Sequence, residues 1–92
     1  MIRSFACRDT EDLFGGGAPR KFGSFQAQAE RKLQMLDSAK DLNDLRTPPG
    51  NRLEKLGRDR RGQHSIRIND HWRLCFRWRD DGARDVAIVD YH

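Results

Sequence analysis

The apolar positions of this chain follow two different periods, one in each half. Near the start, Ile2-Arg3-Ser4-Phe5 alternates and predicts a short strand. Asp9 or Thr10 then caps a short helix that takes in Glu11, Leu13 and Phe14, and Gly15-Gly16-Gly17 stops it. From about Phe22 to Lys40, the residues Phe22, Phe25, Ala29, Leu33 and Leu36 recur at spacings of three and four. They form the single apolar stripe of an amphipathic helix, for which Ser24 is an alternative cap. Residues 41–46 add a further helical turn or a loop. Pro48-Pro49-Gly50 closes this half.

After the prolines the period changes to two. Residues 51–57 predict a short strand and 58–62 a basic turn. In 63–69, His64, Ile66 and Ile68 share one side, and Ser65, Arg67 and Asn69 the other. Asn69-Asp70 opens a tight turn. In the next strand Trp72, Leu74, Phe76 and Trp78 face one way, and Arg73, Cys75, Arg77 and Arg79 the other. An Asp-Gly hairpin signal at 81–82 leads into a final strand over 85–91. Short turns between strands imply antiparallel neighbours, and a helix stripe must find a sheet to cover. The expectation is an α+β fold, a single domain over 1–92, with two N-terminal helices on one face of a small antiparallel sheet. The other face would carry the arginines.

Composition narrows the class. The chain of 92 residues is 36% hydrophobic and 35% charged, a soluble globular balance with one modest core. It has no apolar run near the ~20 residues that span a bilayer, and no signal-like start, so the expected place is the cytoplasm, with no membrane partner. Cys7 and Cys75 lack metal spacing and read as small core or half-buried thiols of a reducing compartment. His64, His71 and His92 are scattered, so no metal site or cofactor is expected.

Charge is concentrated. Residues 46–79 hold ten Lys and Arg against Glu54, Asp59 and Asp70, a balance of +7, whereas residues 1–45 sum to zero. Nine of those ten cations are Arg, whose planar fork suits phosphate and stacks on bases. Such a strip points to a nucleic-acid partner, the bland alternative being a solvated face. The sequence then ends on Asp90, Tyr91 and His92, an acid, a phenol and an imidazole directly after an apolar strand.

Four stretches together carry a family resemblance: "MIRSF", "PPGNRL", "GQHSIRINDHWRLCFRW" and the terminal "VDYH". The chain resembles the HigB-like toxins of the RelE/ParE superfamily over its whole length. The resemblance implies a type II toxin that cleaves mRNA in the ribosomal A site. It also implies neutralisation by a helix-turn-helix, HigA-like antitoxin, the pair repressing its own operon by binding operator DNA through the antitoxin. Metal-free RNA cleavage uses the neighbouring 2′-hydroxyl as nucleophile. It needs a proton acceptor, a proton donor and a cation for the developing charge. On the resemblance, His92 is the acid or base, Tyr91 a stacking or phosphate contact, Asp90 a group that orients His92 or accepts a proton, and Arg73 the stabilising cation. The packing alternative for Arg73 is a cross-strand pair with Asp90 or Asp85. Arg67, Lys55, Arg58, Arg60, Arg61 and His71 are candidate contacts to RNA or the ribosome. His64, Trp72 and Trp78 read as packing groups.

One stretch departs from the family pattern. Relatives often carry "H-P-L-K-G" where this chain has Glu54-Lys55-Leu56-Gly57, so the family's histidine falls on Glu54 and its lysine on Gly57. Lys55 or Arg58 can replace the lost cation, and Glu54 can serve as a base. The alternative function is a non-catalytic toxin of the same fold that binds a ribosomal, ribosome-assembly or gyrase target.

Overall fold

The structure is a computed structural model and describes residues 1–80 and 82–90. Its elements are α1 (Arg8–Phe14), α2 (Gln26–Ser38), β1 (Glu54–Lys55), β2 (Gln63–Arg67), β3 (Trp72–Arg79) and β4 (Gly82–Asp90). Short 3-10 turns occupy 20–25, 42–46, 49–51 and 58–60. The strands form a meander in the order β1-β2-β3-β4, every neighbour antiparallel.

The predicted stripe is the core of the helix layer. Phe22, Phe25, Ala29, Leu33 and Leu36 are all buried, and they meet Ile66, Leu74, Phe76, Val86 and Ile88 of the sheet. The stripe does not ride on one helix. Phe22 and Phe25 lie on the 3-10 turn Arg20–Phe25, and the α-helix begins only at Gln26. Gly23 weakens α propensity there, and a spacing of three fits either helix type. Trp72 closes this end of the core, its ring centroid 5.0 Å from that of Phe25 and 5.8 Å from that of Phe22.

Other boundaries moved for local reasons. Helix α1 is preceded by Cys7, whose side chain caps nothing, rather than by Asp9 or Thr10. The Thr10 hydroxyl is committed elsewhere, accepting the Ile88 N–H at 3.0 Å. The strand expected over 51–57 contracts to two residues because Arg52 (φ 46°) and Arg58 (φ 53°) bracket it in the left-handed region. Helical structure also runs past the first proline, as the turn Pro49–Asn51 after a cis Thr47–Pro48 bond.

The first residues pair in parallel with β4. Ile2 bridges to Ala83 and Phe5 to Val86, which is too little to make a full strand. The Arg3 N–H donates to the Ala83 carbonyl at 2.7 Å, and the Ala83 N–H to the Met1 carbonyl at 2.9 Å. This covers the outer edge of β4. It also explains Gly82, which belongs to the strand rather than the turn: a Cβ there would stand 2.9 Å from the Met1 carbonyl oxygen. Between Arg77 and Cys75 the ladder slips by one, setting Asp85 (φ 53°) and Val86 opposite Phe76 in a β-bulge.

Asn51 joins α2 to the turns that precede β1. It is fully buried; its Nδ2 donates to the Leu45 carbonyl at 3.1 Å and lies 3.0 Å from the Met35 sulfur, while its Oδ1 accepts from Lys32 Nζ of α2. Replacement of Asn51 by Ala leaves buried partners unsatisfied, and should cost about 1–3 kcal/mol in a urea unfolding titration.

Candidate active site on the open face of the sheet

The period-2 alternation puts Ser65, Arg67, Arg73, Cys75 and Arg77 on the face away from the helices, in register with Glu54, Ala87 and Val89. The centre of this face is not bare. Ser65 and Cys75 are fully buried, although the helix layer lies on the other side. Arg73 lies over Ser65, and its own side chain is only 11% exposed. Arg73 Nε donates to Ser65 Oγ at 2.8 Å, and Nη2 donates to the Arg52 carbonyl at 2.7 Å. The Glu54 carboxylate stands 3.7 Å from the same Nη2, on the far side of β2. The guanidinium therefore spans three elements, β3, β2 and the turn before β1. Neither Asp90 nor Asp85 is its ion-pair partner: that partner is Glu54. Asp85 instead pairs with Arg77, at 3.4 Å.

Burial pushes the Cys75 thiol up from its ordinary value, although Arg60 and Arg73 nearby favour the thiolate. For Cys7, burial also opposes ionisation, but the Thr10 hydroxyl and the Thr10 and Asp9 backbone N–H groups outweigh it and lower the pKa. Both cysteines are free, Cys75 buried and Cys7 half-buried.

The candidate residues divide between two ends of the sheet. One end holds Arg67, the turn through His71, Arg73 and Asp90. Arg67 is opposite Arg73, and Trp72 opposite Asp90. By that register Asp90 shares the parity of Trp72 and Ile88, while Val89 shares that of Arg73. Arg67 is tied to Asp70, and the Asn69 side chain accepts the N–H groups of His71 and Trp72 at 2.8 and 2.9 Å, which fixes the turn. The other end holds Arg58, Arg60 and Arg61. There Arg60 donates to Gln63 at 3.3 Å, and Arg77 Nη1 donates to the Arg61 carbonyl at 3.2 Å. Lys55 lies next to His64 across the β1–β2 ladder. Tyr91 and His92 lie outside the described residues.

Lys32 was not legible as a site residue. It sits on α2 among helix-layer residues, yet Asn51 holds its ammonium, and burial together with the charges of Arg31 and Arg67 lowers its pKa. Its bond to Asn51 depends on a contact between α2 and the turn at 49–51, which no local pattern announces. Among the described residues, no group of three His, Cys, Asp or Glu side chains could hold a metal ion. Among the described residues, no helix is long and apolar enough to cross a membrane.

His64 packs as expected, stacked on Phe76 with ring centroids 6.1 Å apart. Burial, and then the charge of Lys55, lower its pKa. The unfolded chain therefore binds its proton more readily, so the contribution of His64 to stability is complete above about pH 6.5 and is lost as pH falls below it. An NMR titration should place the His64 midpoint below 6.5, and Lys55→Gln should move it up.

A family model described as RelE-like toxin of the type II toxin-antitoxin system HigB matches residues 15–92. The chain is 52% identical over 58 residues to Toxin HigB-1 of Vibrio cholerae, a match covering 63% of this chain and 61% of that protein. It is 28% identical over 93 residues, the whole of both chains, to Endoribonuclease HigB of Proteus vulgaris. Its fold is similar to that in the YoeB-YefM complex from Staphylococcus aureus, with a TM-score of 0.62 at 22% identity over 100% of this chain and 98% of that one.

Proposed function

Because the chain belongs to the HigB-like toxins, RelE-like toxins of type II toxin–antitoxin systems, we propose that it is a ribosome-dependent mRNA endoribonuclease working by metal-free acid–base cleavage. The observation that carries this reading is Arg73. A guanidinium held by the Ser65 hydroxyl and the Arg52 carbonyl keeps a cation at a set place on the open face, beside Val89 and one residue from Asp90. Charge that develops on a scissile phosphate is best met by a group that need not reorganise. The 2′-hydroxyl attacks phosphorus as its proton passes to His92, the bond from phosphorus to the 5′-oxygen breaks, that oxygen leaves with a proton returned from His92, and Tyr91 stacks on a base or bonds the phosphate. Asp90, at the parity of Trp72, orients His92 rather than pairing with Arg73.

Arg67, Lys55, Arg58, Arg60, Arg61 and His71 supply the phosphate contacts to mRNA and the ribosome. The proposed partner is a cognate helix-turn-helix antitoxin, through which the pair reaches operator DNA, and the proposed location is the cytoplasm. The Arg73–Glu54 pair favours a second reading, in which a neutralised cation serves a toxin that only binds its target.

Primer extension on mRNA from cells expressing the protein separates the two. Cuts that require translation support the nuclease, and growth arrest without cuts supports the binder. Removal of Tyr91 and His92, or His92→Gln, should lower cleavage by roughly 10²–10⁴-fold with the circular dichroism spectrum retained. Arg73→Ala should also abolish cleavage, but it removes the bond to buried Ser65 as well, so its loss must be read beside a melting curve.

A further inference from the structure

The bonds that hold Arg73 in place and the charge that neutralises it come from different groups. Placement comes from neutral acceptors: Ser65 Oγ at 2.8 Å, the Arg52 carbonyl at 2.7 Å and, more weakly, the Ser65 carbonyl at 3.5 Å. Neutralisation comes from Glu54, whose nearest oxygen is 3.7 Å from Nη2. That distance is an ion pair but too long for a hydrogen bond. Glu54 therefore uses up none of the donors. The Nη1 donors of Arg73 have no partner among the described residues. The two side chains also differ in exposure: Arg73 is 11% exposed, whereas Glu54 is 52% exposed on a two-residue edge strand. One partner is held by hydrogen bonds under cover and the other faces water.

From this we infer that Glu54 is a displaceable counter-ion beside the phosphate site of Arg73, and that its charge sets how tightly Arg73 holds RNA. A phosphodiester arriving at Arg73 takes the Nη1 donors and displaces the carboxylate, and every bond that orients the guanidinium stays intact. Glu54 thus weakens ground-state binding to RNA without disturbing the cation. The inference rests on the reading of Arg73 as a phosphate contact.

The test is binding, not cleavage. The purified chain is titrated with a fluorescent single-stranded RNA whose 2′-hydroxyls are methylated, so that it cannot be cut. Glu54→Gln removes the competing charge and keeps the shape. At low salt it should tighten binding about three- to tenfold, as expected for one partly solvated charge at this distance, and the gain should shrink as salt rises. Glu11→Gln, the same charge change on exposed α1, should leave affinity within about twofold. Glu54→Ala, which also removes the charge, should give the same gain, and it carries the test if the Gln variant melts early. Unchanged or weaker binding by Glu54→Gln, or an equal gain from Glu11→Gln, overturns the inference. No ribosome takes part in this assay. A failure of translation-dependent cleavage would therefore count against the nuclease reading and leave the binding result to stand on its own.

Discussion

A single layer of helix covers one face of a four-stranded sheet, and among the described residues no helix lies on the other face. Phe22, Phe25, Ala29, Leu33 and Leu36 are used in full against Ile66, Leu74, Phe76, Val86 and Ile88. The opposite face must therefore meet water and yet keep its central backbone covered. Small residues make that possible. Ser65, Cys75 and Ala87 stand in a row across the strands, and the long side chain of Arg73 lies over Ser65 with its head bonded down. An arginine can do this because its stem is apolar and its fork is planar. The same side chain is thus a cover for the sheet and the most rigidly placed cation on it.

The ion pairs on this face are arranged by depth. Arg67 with Asp70 and Arg77 with Asp85 lie at its two ends, between partly exposed groups, where pairs contribute little to stability. Arg73 differs in being almost covered, so removing its bonds costs more than removing its charge. The basic excess of residues 46–79 is in this way unevenly available. Arg58 and Arg61 are exposed, while Arg73 is anchored and Arg60 is bonded to Gln63.

Periodicity carried most of the fold, because burial on one side of a helix or strand leaves a repeat that a sequence displays directly. Every residue of the stripe is buried, and Ile66, Ile68, Leu74 and Phe76 of the alternating strands join it in the core as expected. What stayed illegible came from contacts between distant segments. Thr10 looked like a helix cap, but its hydroxyl serves Ile88, 78 positions away in the chain. Gly82 looked like a turn residue, but the Met1 carbonyl is what it makes room for. Sequence proximity points to Asp85 or Asp90 as the partner of Arg73, and the partner is Glu54, reached across an intervening strand. Lys32 carried no signal at all, since a lysine on the polar side of a helix looks like any other.

The pairing of the N-terminal segment with β4 has a consequence for synthesis. Ile2 and Phe5 find their bridges only at Ala83 and Val86, and Thr10 finds its donor only at Ile88. A growing chain delivers β4 after every element that needs it. Until then the front of the protein has no sheet edge to dock on, and β3, the strand that bears Arg73, lacks a neighbour on one side. Contacts so far apart in sequence form late because closing a long loop must precede them. Docking of the N-terminal segment therefore waits on β4, and no nascent portion lacking β4 can hold the finished open face.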